Sequence, residues 1–124
     1  ICYVDQKLLD KKGIQLYELI SASDGLISDY SSVAVDYMLL NRPLAFVLSD
    51  MQQYKETRGF VFENPQEYMP GEKIYDLKGL EEFAVHVSGE KDLYREERRK
   101  LLPVMHQMPV KENYSKALAE FLKL

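Results

Sequence analysis

Leu44-Ala45-Phe46-Val47-Leu48 is apolar at every position. A strand with one wet face would alternate, so this run predicts a strand covered on both faces, as in a parallel sheet with helices on either side. Pro43 just before it biases Arg42 away from helical geometry, so the helix-like stretch Val33 to Leu40 must stop by Asn41. Strand follows helix with almost no linker. That order is the mark of a βαβ unit, and it predicts an α/β fold: a Rossmann-like parallel sheet with flanking helices.

The rest of the chain fits the same scheme. Tyr3-Val4 reads as the tail of a strand. Leu16, Leu19 and Ile20 recur at i, i+3, i+4, a short helix ending near Ser23. Gly25 to Ser28 forms a short apolar strand closing on Asp29, and Ser31 and Ser32 stand where the cap of the Val33 helix belongs. Met51 to Thr57 forms a turn of helix broken by Gly59, and Phe60-Val61-Phe62 is a brief strand or extended segment. Pro65, Pro70 and Gly71 mark a loop, and Lys73-Ile74-Tyr75 forms a last short strand. Leu80, Phe83, Ala84 and Val87 give i, i+3, i+4, i+7 helical spacing. A charged helix follows from about Leu93 to Met105, and a final one carries Leu118, Phe121 and Leu122. Leu26, Ile27, Phe46 and Val47 are expected to be mostly buried.

Composition narrows the function. The 124 residues suit one domain, read as a single unit over 1–124. Sixteen Lys and Arg against twenty Asp and Glu leave a net charge of −4, which argues against a nucleic-acid partner. No apolar run approaches the ~20 residues of a membrane-spanning helix. The single cysteine, Cys2, cannot form an internal disulfide, and no Cys/His cluster offers a metal site. The chain opens Ile-Cys-Tyr-Val rather than Met, which suggests a piece of something longer.

In open α/β sheets ligands sit at the carboxyl ends of the strands, so the turn Asp29-Tyr30-Ser31-Ser32 is the first place to look. A helix start offers unpaired N–H groups and partial positive charge to a phosphate, and two serine hydroxyls add donors. The same serines also serve simply as a helix cap. Asp36, more than a turn into the helix, reads either as a ligand or as a structural acid. Arg58-Gly59 pairs a planar guanidinium fork with a residue that lets backbone approach, which suits a diphosphate or, equally, a surface turn. The missing glycine-rich fingerprint argues against a nicotinamide cofactor, and no cofactor is expected. Neither His86 on the Leu80–Val87 helix nor His106 at a helix end looks catalytic, the latter being placed to meet C-terminal carbonyls. The run Arg95 to Lys100 mixes both signs and reads as a solvated helix face.

The stretch SDYSSVAVDYMLLNRPLAFVLSDMQQYKETRGF, Ser28 to Phe60, resembles the CDP-glycerol glycerophosphotransferase family of teichoic acid polymerases and primases. The elements that carry the resemblance are Asp29 to Ser32 with Asp36-Tyr37, Arg42-Pro43, Asp50, Tyr54, Arg58-Gly59-Phe60 and Pro70-Gly71. It implies a GT-B fold, with this chain as part of the C-terminal, donor-binding Rossmann-like domain. It also implies transfer of glycerol phosphate from CDP-glycerol to a membrane-linked acceptor, with CMP released, at the inner face of a bacterial membrane. Carried over, Ser31 and Ser32 contact the donor phosphates, Arg58 lies near them, Asp29 and Tyr30 shape the loop, and Asp36 braces it. The family's catalytic histidines precede the D-Y-S-S segment, so no catalytic residue is expected here and the chain alone should be inactive. The alternatives are a capsule or sugar-nucleotide transferase of the same fold, and a flavodoxin-like signalling module. The module would need an acidic pair after its first strand, and Asp5 has no acidic neighbour.

Overall fold

The computed structural model describes residues 2–57, 59–60 and 62–106. Arg58, Val61 and the helix expected at Leu118 to Leu122 lie outside the described residues. Three parallel strands form one sheet in the order β1 (Leu26–Ser28), β2 (Leu44–Val47), β3 (Glu72–Ile74). Leu26 pairs with Leu44 and Ser28 with Phe46, while Ala45 pairs with Glu72 and Val47 with Ile74. Because β2 is hydrogen-bonded on both sides, its alternating side chains point into two separate apolar layers.

Leu44, Phe46 and Leu48 face one layer, where they pack with Ala34 and Tyr37 of α3 (Val33–Tyr37), Met38 and Met69. Leu101, Leu102 and Met105 of α6 (Arg95–Met105) close that side. Ala45 faces the other layer, beneath Phe83 of α5 (Leu77–Ser88) and beside Ile74. Fully burying side chains of this size stabilises a fold by roughly 1.5–3 kcal/mol each, an upper bound that ignores denatured-state compactness. The two-sided parallel sheet expected from the apolar run is present.

Local chemistry explains the element ends. Asp76 caps α5 by accepting the Gly79 amide at 2.9 Å. Helix α3 passes into a 3₁₀ turn, Met38–Leu40, that ends at Asn41 in left-handed conformation (φ 47°). Gly71 approaches β2 so closely that a Cβ there would lie 2.3 Å from the Leu44 carbonyl oxygen, so only glycine fits. Between β2 and β3 come α4 (Met51–Thr57) and a 3₁₀ turn, Pro65–Tyr68. Ahead of the sheet lie α1 (Gln6–Lys12) and α2 (Leu16–Ser21).

Several expectations are corrected. Tyr3-Val4 is not a strand: both residues are exposed and pair with nothing among the described residues. The polar stretch after it is α1, capped by Asp5 through the Leu8 amide and closed by Gly13 at φ 65°. No strand forms among the described residues at Phe60 and Phe62. Ile27 is 40% exposed, because α5 lies over β2 and β3 and stops short of the edge strand. Leu80 and Ala84 of the α5 stripe are exposed too, Ala84 on the same open groove as Ile27, while Leu26 and Val47 are half-buried and Phe46 is buried.

The largest correction is Arg98. Within the charged run expected to be solvated, it is 1% exposed. Its Nη2 pairs with the buried Asp92 carboxylate, Nε donates to Asn41 Oδ1 at 3.2 Å, and Nη1 reaches the Pro70 carbonyl at 3.4 Å. Lys73 Nζ donates to the carbonyls of Met69 and Gly71, the latter at 2.6 Å, and lies 5.0 Å from the Tyr94 ring centre. Two cations therefore hold the turn at Pro70-Gly71. Arg98→Ala strands a buried carboxylate and is expected to cost about 3–5 kcal/mol in urea unfolding. Arg99, exposed beside Glu96, is the control: Arg99→Ala should change stability by less than about 1 kcal/mol. Equal midpoints for the two variants would contradict the buried network.

Candidate functional site

Parallel pairing brings the carboxyl ends of all the strands to one edge, and the turn after β1 opens there. Asp29 folds the turn on itself, its Oδ1 accepting the Ser31 amide at 2.8 Å. Hydrogen bonding from the Ser31 side chain, reinforced by the Ser31 amide, holds the Asp29 carboxyl below the usual carboxylate range. Ser31 and Ser32 are both exposed. Ser32 is the N-cap residue of α3, yet its side chain makes no capping hydrogen bond. The hydroxyl expected as a cap is therefore not used as one, and the Ser32 and Val33 amides have no intrahelical acceptor.

Beside the turn is a mostly apolar cavity of about 260 Å³. Asp29, Tyr30 and Ser31 form its rim, Met38, Phe46 and Met69 its floor, and Phe62 and Tyr68 stack at 3.7 Å between ring centres along one side. Tyr30 leans outward onto Tyr54 and Phe60, with ring centres 4.3 and 5.2 Å away. Its hydroxyl donates to Asp50 Oδ1 at 3.0 Å. Burial, then the hydrogen bond to Asp50 and the nearby negative charge of Asp50 and Asp29, push the Tyr30 phenol up to about 12.

The other sequence candidates fall elsewhere. Asp36 does not reach the turn: its Oδ2 accepts the Tyr17 hydroxyl at 2.6 Å, which ties α3 to α2. Gly59 adopts φ 72°, and its amide closes α4 on the Tyr54 carbonyl at 3.2 Å. Arg58 is outside the described residues. His86 lies 3.0 Å from both Glu72 carboxylate oxygens, joining α5 to β3. His106 Nε2 is 2.9 Å from the Val35 carbonyl of α3, a helix other than its own. Arg42 donates to the Ser21 and Ser23 carbonyls at 2.7 Å and so finishes α2. Among the described residues no cluster of metal-ligating side chains occurs, and no helix is long and apolar enough to cross a membrane.

Sequence comparison gives the family. The family model for CDP-glycerol:poly(glycerophosphate) glycerophosphotransferase matches residues 4–116, and the chain belongs to that family. It is 36% identical over 80 residues to the teichoic acid glycerol-phosphate primase of Bacillus subtilis strain 168, covering 64% of this chain and 21% of that protein. It is similar to the teichoic acid poly(glycerol phosphate) polymerase of Staphylococcus epidermidis, 45% identical over 64 residues, 51% of this chain and 9% of the polymerase. The teichoic acid ribitol-phosphate primase of Bacillus spizizenii is 42% identical over 65 residues, 52% of this chain and 16% of its own. The chain thus spans about a fifth or less of these relatives.

The Tyr30 environment gives a pH test. Its folded pKa of about 12 lies above the free value of 10, so the protonated phenol stabilises the fold fully below pH 10, and that contribution fades as pH rises through 12. The stability of the native chain relative to Tyr30→Phe should be constant up to pH 10 and then shrink. Urea midpoints between pH 8 and 12 measure it, and a gap indifferent to pH contradicts the described surroundings of the phenol.

Proposed function

We propose that this chain is the donor-binding part of a glycerophosphotransferase that takes CDP-glycerol and extends a glycerophosphate chain on a membrane-linked acceptor. It is read as a single unit, 1–124, within the C-terminal Rossmann-like domain of a GT-B enzyme working at the inner face of the bacterial membrane. The observation that carries this reading is the start of α3, where Ser32 makes no side-chain cap, with two exposed serines at the carboxyl end of a parallel strand and a cavity alongside. Family membership supports it, since the family is named for CDP-glycerol and for the poly(glycerophosphate) chain.

In this reading the donor diphosphate is received by the Ser31 and Ser32 hydroxyls and by the first free amides of α3. Asp29 does not contact it. An anion there would repel the phosphates, and Asp29 is already engaged in shaping the turn. Arg58 supplies positive charge to the same diphosphate, and Gly59 gives its loop the left-handed bend it needs. The acceptor hydroxyl attacks the β-phosphorus, the bond from that phosphorus to the bridging oxygen breaks, and CMP leaves with its growing charge stabilised by these donors. His86 and His106 are each held by a structural partner, so the general base comes from outside this chain. A ribitol-phosphate donor is the second reading, favoured by the 42% identity to a ribitol-phosphate primase.

Titration of the ¹⁵N-labelled chain with CDP-glycerol, and separately with CDP-ribitol, tests the reading. Amide shifts should centre on 29–34, with a dissociation constant of about 1 mM, since a few charge-assisted bonds must offset ordering costs. Ser31→Ala with Ser32→Ala should weaken binding about tenfold, and Arg58→Ala should weaken it as well. Thermal unfolding should change by little, because the Ser32 side chain makes no capping hydrogen bond and the bond from the Ser31 amide to Asp29 is kept in the variant. No CMP should be released. Turnover by the chain, or shifts centred elsewhere, contradicts the assignment.

A further inference from the structure

We infer that Tyr30 is a positioning residue that locks the segment 50–60 against the turn that receives the donor diphosphate. The inference rests on the donor reading above and adds to it the device that keeps two separate chain segments in register at the same edge of the sheet.

The turn and the segment belong to different βα units. The turn follows β1, and residues 50–60 follow β2. Strand pairing fixes the strand ends, but the last rung between β1 and β2 is Ser28 opposite Phe46, so that pairing does not hold the loops beyond. Tyr30 bridges them twice. Its ring lies against Tyr54, on α4, and edge-on to Phe60, just past the helix, with those two rings themselves 5.0 Å apart. Its hydroxyl donates to Asp50, which also starts α4 by accepting the Tyr54 amide at 2.9 Å.

The contact thus reaches both ends of the segment. Asp50 stands before α4 and Phe60 after it, and the Gly59 amide returns to Tyr54 at 3.2 Å. Thr57 Oγ1 closes the last turn on the Gln53 carbonyl at 2.9 Å. Three aromatic rings in mutual contact have few alternative packings, so a small displacement of α4 is passed to Tyr30 rather than absorbed. Tyr30 is next in sequence to both Asp29 and Ser31, so any such displacement moves the phosphate-facing turn. Asp50 and Tyr54, which do not line the cavity, and Phe60, which does, acquire one role in common: each holds Tyr30.

The test uses the ¹⁵N-labelled chain and variants at both ends of the contact. Backbone heteronuclear NOE values report motion faster than nanoseconds. In Tyr30→Leu and in Asp50→Ala, the values for 29–32 and 51–57 should fall together, while those for Ala45, Phe46 and α5 stay constant. Tyr30→Phe keeps the rings and should fall by less, and Asp50→Asn keeps an acceptor for the hydroxyl and should match the parent. In parallel, inorganic pyrophosphate and CDP-glycerol are titrated, and Tyr30→Leu should bind each about three- to tenfold more weakly. Loosening of only one segment overturns the lock. So does unchanged affinity in Tyr30→Leu when the parent binds both ligands. If the parent binds neither, the donor reading fails, and the lock stands or falls on the NOE pattern alone.

Discussion

Strand β2 is held by a parallel neighbour on each side, and its side chains are buried alternately above and below the sheet. Everything else in the described fold depends on that. Two-sided burial requires helices on both faces, which α3 and α6 provide on one and α5 on the other. Parallel pairing requires each connection to return across the sheet, so every strand delivers its carboxyl end to the same edge. The turn after β1 and the aromatic segment after β2 meet there because the strands run the same way, without any direct sequence link between them.

Charge is used sparingly but firmly away from that edge. Arg98 and Lys73 reach the carbonyls of the Met69–Gly71 turn from different sides, and Asp92 neutralises Arg98 where water is excluded. The turn itself is pressed onto β2 at Gly71. Through it α6 is fastened to the sheet, and with α6 come Leu101, Leu102 and Met105, which close the core layer under the cavity. Replacing hydrophobic contacts by a buried ion pair gains little stability in general, but it does fix one arrangement by penalising every other that leaves the charges unpaired.

The fold was legible where periodicity and punctuation agree. The unbroken apolar run gave β2, the serines ahead of Val33 marked the start of α3, the spacing of Leu80, Phe83, Ala84 and Val87 gave α5, and Pro43 marked the boundary between helix and strand. Helix α1 was missed because its one buried residue, Leu9, supplies no stripe, although Asp5 and Gly13 bracket it with the right capping chemistry. Arg98 was misread because a charge pattern does not say which member of a run points inward. The signal lay in Asp92, six positions earlier and with no meaning until the chain turns. Of the candidate site, the place of Asp29 to Ser32 between strand and helix was legible. Asp36 was not, since Tyr17 reaches it from another helix, and the contact of Tyr30 with Asp50 joins residues that only strand pairing brings together.

The central claim is that the carboxyl edge of this sheet, at the start of α3, receives a nucleotide-linked diphosphate. A crystal structure of the chain grown with CDP-glycerol tests it most directly. The account predicts diphosphate density within hydrogen-bonding distance of the Ser31 and Ser32 hydroxyls and the Ser32 and Val33 amides, with the Asp29 carboxylate still turned onto the Ser31 amide. Density in the open groove at the opposite edge, between Gly25, Arg42 and Pro43, with the α3 start left to solvent, would contradict it.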